Sequence, residues 1–178
     1  VSLTLGRRIR EEGRVAAKEA GQDFAEHPSF PAIDKMVVEF ERGGRAAGAG
    51  FYEYADGKRL GLWDALGEHF GGDNMTMPFI DMKERMLFAE AIESIKCLDE
   101  GVLRSVPEAN IGSIFGIGFP PWTGGVLQYV NGYVAPDGTV SGPVGFVARA
   151  RELATVYGDR FTPPASVVAL AESGGRYS

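Results

Sequence analysis

The sequence predicts an all-α protein with one short β-hairpin near residues 50–62. Three observations carry that expectation. Apolar residues recur at intervals of three and four in several separate stretches. A single segment of alternating aromatics is followed by a turn dipeptide. The 25 glycines and 10 prolines cluster between the helical stretches, as punctuation of short elements. With 44% hydrophobic residues the chain of 178 can build a packed core, and wholesale disorder is excluded.

Residues 3–19 read as a helix, with Leu5 and Ile9 one turn apart and Arg7, Arg8, Arg10, Glu11 and Glu12 on the other positions; Gly13 weakens it. Pro31 opens a second helix, where its missing amide is not needed, with Ile33, Met36, Val37 and Phe40 at helical spacing before Gly43-Gly44. Phe51 to Tyr54 reads as a strand, Asp56-Gly57 as its turn, and Arg59 to Leu62 as the returning strand. One or two helical turns over Trp63–Phe70 lead to a linker at Gly71–Asn74, and a boundary is placed at 71–78. The clearest helix spans 79–100, with Met82, Met86, Ala89 and Ile92 in one stripe that Phe88, Ile95 and Leu98 widen. Asp81 and Glu84 sit in its first turns, where the helix dipole favours anions, and Gly101 closes it. Shorter helices are expected at 108–115, with Gly112 and Gly116 allowing close helix approach, at 126–130, at 145–157 and after Pro163-Pro164. Residues 133–142 form a turn-rich excursion.

Charge and composition exclude several functions. The formal charge is −6 with both signs dispersed, which makes the chain a poor candidate for nucleic-acid binding. No apolar run approaches the roughly 20 residues of a membrane span. The single Cys97 forms no internal disulfide, which predicts a reducing, cytoplasmic setting. Two histidines, His27 and His69, both placed in surface loops, do not make a metal site. Gly48-Ala-Gly50 and Gly116-Ile-Gly118 each lack the third glycine of a dinucleotide fingerprint, and no phosphate-loop motif occurs. Cys97 reads as a small buried hydrophobe, and the carboxylates as occupants of solvated helix faces, none singled out as acid or base. The arginines of the first helix read as a salt-laced exposed face. Arg45, beside the glycines, has two readings: a surface arginine after a turn, or a cation near backbone amides that meets a ligand phosphate. The opening Val1-Ser-Leu-Thr-Leu-Gly reads as the interior of a longer protein.

Two segments carry more. Gly44-Arg-Ala-Ala-Gly-Ala-Gly-Phe-Tyr-Glu-Tyr54 and Gly116-Ile-Gly-Phe-Pro-Pro-Trp-Thr-Gly-Gly125 resemble, in order and spacing, two landmarks of the multifunctional fatty-acid β-oxidation enzymes, the FadB-like trifunctional α-subunit family. Tyr157-Gly-Asp-Arg-Phe-Thr-Pro-Pro164 is similar to actinobacterial members. The resemblance implies helical domains like the C-terminal domain of 6-phosphogluconate dehydrogenase. Residues 1–72 would be the distal part of a truncated first 3-hydroxyacyl-CoA dehydrogenase C-terminal domain, and 73–178 the second.

It further implies a full-length enzyme that hydrates enoyl-CoA and oxidises (3S)-3-hydroxyacyl-CoA with NAD, the His–Glu pair and the NAD cradle lying in an upstream Rossmann domain. An enoyl-CoA hydratase domain and a thiolase subunit are the implied partners, and acyl-CoA the ligand. No catalytic, NAD-binding or metal-ligating residue is expected within these residues, so the chain alone is expected to be inactive. Relatives place a substrate-contacting aromatic, commonly Tyr, just before the G-x-G-F-P-P turn; here it is Phe115, which keeps the ring and loses the hydroxyl, so the role the resemblance implies is apolar contact with the acyl or pantetheine chain. The Lys that often follows the Arg of the first landmark is Ala46 here, a departure that counts against a phosphate contact at this landmark. The rival reading is a free-standing helical interaction module. A truncated first domain would leave the apolar faces of 1–70 uncovered, which predicts a homodimer through that segment.

Overall fold

In a computed structural model, residues 2–71 and 77–178 are described; they form helices and, among the described residues, one two-stranded antiparallel sheet. The chain divides into two compact units, Val1–Met75 and Thr76–Ser178. The linker read at Gly71–Asn74 lies mostly outside the described residues.

The first unit opens with α1 (Leu3–Glu19), capped by the Ser2 hydroxyl. The helix runs through Gly13 without interruption, because the Phe24 ring packs where a side chain would stand. The next helix begins at Phe30 with Pro31 in its first turn. It is α-helical over α2 (Phe30–Asp34) and widens into a π-helical turn over Lys35–Glu39. Ion pairs join α1 to α2 and to the loop before it. Arg7 and Arg10 bond Asp34, and Arg10 and Arg14 bond Glu26. The Arg10 guanidinium holds the Asp34 carboxyl below the ordinary carboxylate range. These residues are therefore tied across elements, where the sequence read only an exposed helix face. A hairpin comes next, β1 (Tyr52–Ala55) paired with β2 (Lys58–Leu62). Asp56 and Gly57 both have positive φ, as a two-residue turn compatible with strand twist demands. Then α3 (Leu66–Phe70) carries His69, which sits on a helix and stacks on Trp63 and Phe40, not in a surface loop. Met36 is the one fully buried apolar side chain of this unit among the described residues.

The second unit has a conventional core. Its long helix α4 (Phe79–Asp99) turns Phe88, Ala91, Ile92 and Ile95 inward. Then come α5 (Val106–Gly112), α6 (Val126–Asn131), α7 (Gly142–Tyr157) and α8 (Ala165–Glu172). Phe88 stacks on Phe146 of α7 at 4.3 Å, with Tyr129 and Tyr133 edge-on around them. Both α5 and α7 start earlier than the sequence predicts, because Pro107 and Pro143 lie inside the first turn. Ser105 caps α5 by accepting from Glu108 N.

Three expectations are corrected by the structure. Met82 and Met86 are exposed, so the buried stripe of α4 runs through Phe88, Ile92 and Ile95 without them. Nothing approaches Gly112 or Gly116; the close approach is made by Gly125. Cys97 is half-buried at the core margin.

Glu90 of α4 is half-buried, and one of its carboxylate oxygens, Oε2, has no partner. Burial raises its pKa. A raised folded-state pKa means the stability is present at low pH and lost as pH rises through that value. Glu90→Gln is therefore expected to raise the melting temperature at pH 7 and leave it unchanged at pH 3.5; equal gains at both values would refute the assignment.

Candidate functional site

The second landmark forms a rigid corner between α5 and α6. After α5 the chain widens into a π-helical turn, Ser113–Ile117, and then makes a tight 3-10 turn at Pro121–Thr123. The backbone of this corner is fastened from below. Asn110 Oδ1 accepts from Leu127 N at 2.9 Å and Gln128 N at 3.2 Å, and Ser113 Oγ accepts from Val126 N at 3.1 Å. Two buried polar side chains, one from α5 and one from the turn after it, thus take up the first amides of α6. Thr123 Oγ1 donates to Pro120 O and accepts from Gly125 N, which closes the turn. Phe119 is driven inward under Tyr129.

The residues left outside are apolar. Phe115 is 86% and Trp122 85% exposed, with Ile111 and Ile117 also exposed. These exposed apolar side chains sit on a backbone fixed by hydrogen bonds, and exposed apolar patches on soluble proteins mark places where something binds.

In the first unit Arg45 lies in a short 3-10 turn, Arg45–Ala47, exposed and in no ion pair among the described residues. The arginine that organises the first landmark is Arg42, which the sequence reading passed over. Its Nε donates to Gly50 O at 2.7 Å and its Nη2 to Glu53 Oε1 at 2.8 Å, while its plane covers Trp63 at 4.5 Å. Beside it Gly44, Gly50, Phe51, Tyr52, Tyr54 and Arg59 line a cavity of about 320 Å³. Arg45 and Phe115 belong to different units.

The second unit also holds a polar network that the sequence reading did not find. Glu84 is only 3% exposed, which corrects the placement of all carboxylates on solvated faces. It accepts from Arg149 Nε at 2.7 Å and from the Tyr133 hydroxyl at 3.0 Å. Arg149 also donates to Glu152 and to Asp81, and the Tyr157 hydroxyl donates to Asp81 at 2.7 Å. Burial works against the Arg149 charge, but its hydrogen bonds to Glu152, Glu84 and Asp81 outweigh it and raise its pKa. The Tyr157 hydroxyl, then Arg149, hold Asp81 below the ordinary carboxylate range, and burial beside Glu84 pushes Tyr133 up. A cavity of about 400 Å³ adjoins Asp81, Arg149 and Glu152. Every nitrogen of Arg149 is engaged within the protein, to Glu84, Glu152 and Asp81.

Among the described residues no cluster of His, Cys, Asp and Glu has the arrangement of a metal site, and no helix is long and apolar enough to cross a membrane. Among the described residues no strand-to-helix crossover of the dinucleotide-binding kind occurs. The only sheet among the described residues is an antiparallel hairpin, and the α6 amides that would face a pyrophosphate are already bonded to Asn110 and Ser113.

No family model matches the chain. It is 32% identical, over 182 residues, to the fatty acid oxidation complex subunit alpha of Shewanella loihica; the alignment covers 99% of this chain and 23% of that protein. The chain therefore spans about a quarter of the length of that relative. The resemblance first carried by two glycine–aromatic landmarks extends along the whole chain, which is related to a segment of the α subunit of fatty acid oxidation complexes.

Proposed function

We propose that this chain is the helical, acyl-CoA-covering part of a multifunctional β-oxidation enzyme. Residues 1–72 are the distal part of its first 3-hydroxyacyl-CoA dehydrogenase C-terminal domain and 73–178 the second. The parent enzyme hydrates enoyl-CoA and oxidises (3S)-3-hydroxyacyl-CoA with NAD in the cytoplasm. Its Rossmann and hydratase domains and a thiolase subunit are the partners of this segment. NAD would be held by the Rossmann domain, and no step is routed through these residues. Their part is to exclude water from the acyl chain and hold it in place.

The observation that carries the proposal is the exposure of both Phe115 and Trp122 on a corner fastened by Asn110 and Ser113. Phe115 has no hydroxyl, so its contribution is apolar contact with an acyl or pantetheine chain. In the first unit Arg45, exposed in the turn before the hairpin, is proposed separately as a contact for a phosphate.

The 178 residues alone are expected to oxidise no NADH with acetoacetyl-CoA. They are expected to bind that ester in calorimetry. Phe115→Ala should weaken binding on the order of tenfold, as loss of one aromatic contact does, while leaving stability within about 0.5 kcal/mol, as for exposed sites generally. Turnover would overturn the division of labour, and binding indifferent to Phe115→Ala would overturn the site. A second reading, an interaction module that self-associates, is favoured by Leu5, Ile9 and Val15, all exposed on α1, which has no buried residue. Self-association in light scattering without any response to CoA esters would select it.

A further inference from the structure

The methionine stripe of α4 is not part of the core, and neither landmark makes use of it. Phe79, Met82 and Met86 succeed one another at three and four residues along the exposed side of the helix. Met86 is 66% exposed and Phe79 78%. Met82, Arg85, Met86 and Ala89 line a cleft of about 330 Å³ with Arg160 and the buried ring of Phe161. None of the residues of the aromatic corner lines it.

The two cations of this cleft lack carboxylate partners. Neither Arg85 nor Arg160 is in an ion pair among the described residues, although the chain as a whole carries a charge of −6. Arg85 lies flat over the Tyr157 ring at 4.5 Å, and its Nη1 donates to the Met77 sulfur at 3.1 Å, a weak acceptor. Asp81 is close enough to feel its charge, but the oxygens of Asp81 are taken by Arg149 and the Tyr157 hydroxyl. Arg160 stands in the short turn Asp159–Phe161 and is exposed. Guanidinium groups match carboxylates in geometry and charge. Unbranched methionine side chains rearrange around flexible apolar partners at low cost. The volume lies at the lower end of the range for small-molecule sites.

We propose that the Met82–Arg85–Met86–Arg160 cleft binds an anionic amphiphile, a carboxylate on an unbranched alkyl chain. Arg85 and Arg160 take the head, and Met82, Met86, Ala89 and Phe161 take the chain. This goes beyond the function proposed above and does not rest on it.

The test uses the full chain, labelled at the methionine methyl groups and titrated with decanoate below its micellar concentration. The chain has five methionines, so the spectrum is simple. Saturable shifts are expected at Met82 and Met86. Arg160→Gln, at an exposed position, should weaken binding about tenfold, as loss of one charge-assisted hydrogen bond does. Arg85→Gln should do the same, and decanol should bind far more weakly than decanoate. Unmoved Met82 and Met86 methyls would overturn the proposal. So would decanol binding as well as decanoate, which would reduce the cleft to an apolar patch, or binding indifferent to both arginine variants. Loss of acetoacetyl-CoA binding in Phe115→Ala reports on the aromatic corner alone, so the two proposals fail separately.

Discussion

Replacing Arg149 by leucine is expected to destabilise the second unit by about 3–5 kcal/mol, the usual cost of stranding a buried charge. Arg149 is the only cation bonded to Glu84 among the described residues, and the Glu84 side chain is 3% exposed. Without it, Glu84 keeps a single donor, the Tyr133 hydroxyl, and Asp81 keeps only Tyr157. By contrast Arg8→Ala, which breaks the exposed Arg8–Glu12 pair, is expected to change stability by less than about 0.5 kcal/mol. Urea unfolding followed by circular dichroism compares the two directly. Equal effects would mean that the buried network is only decorative. The sign of the pH dependence comes from Asp81. Its folded pKa is depressed, so its stabilising contribution is present above the ordinary carboxylate range and is lost as pH falls. The acid-side loss of stability should therefore be shallower in Arg149→Leu than in the parent chain.

Gly125→Ala is the second large effect, expected at about 2–5 kcal/mol from overpacking and a left-handed backbone together. At this position φ is +106°, and an added Cβ would lie 2.5 Å from both Cα and Cβ of Asn110. Those atoms belong to the residue whose side chain caps α6, so α5 and α6 must separate or the cap must break. The amides of Leu127 and Gln128, which bond Asn110 Oδ1, should then lose protection from hydrogen exchange. Gly112→Ala provides the opposite sign. It faces open space at the end of α5, so alanine is expected to be neutral or to stabilise by up to about 1 kcal/mol. Equal costs at both positions would contradict the packing described.

The order of helices and the hairpin was legible because periodicity and turn chemistry are local. Asp56-Gly57 needs no tertiary information to specify its turn. The side of α4 that is buried was only half legible. Met82 and Met86 have the spacing of core residues, and only the placement of other elements against Phe88 and Ile92 decides that they stay outside. Glu84 was misread for the same reason. Its partner Arg149 lies 65 positions away, and no pattern within a helix announces such a pairing. Arg42 was overlooked in favour of Arg45 because its acceptors are mostly backbone carbonyls, which leave no mark in the sequence. The corner at 116–125 was legible as a landmark, but which of its glycines touches another helix was not. Gly112, Gly116 and Gly125 look alike until Asn110 is placed beside one of them.

Both helices that lead into the landmarks end in a π-helical turn, Lys35–Glu39 in one unit and Ser113–Ile117 in the other. Such a turn holds one residue more than an α-helix would need for the same advance, and one residue corresponds to about 100° around the axis. The direction in which Phe115 points is therefore set by counting as much as by chemistry. Removing one residue from this stretch would leave every side-chain type intact and still aim the ring at a different part of space. In comparisons among related sequences, a one-residue gap in this turn carries more meaning than most substitutions, because it changes what the surface faces without changing what it is made of.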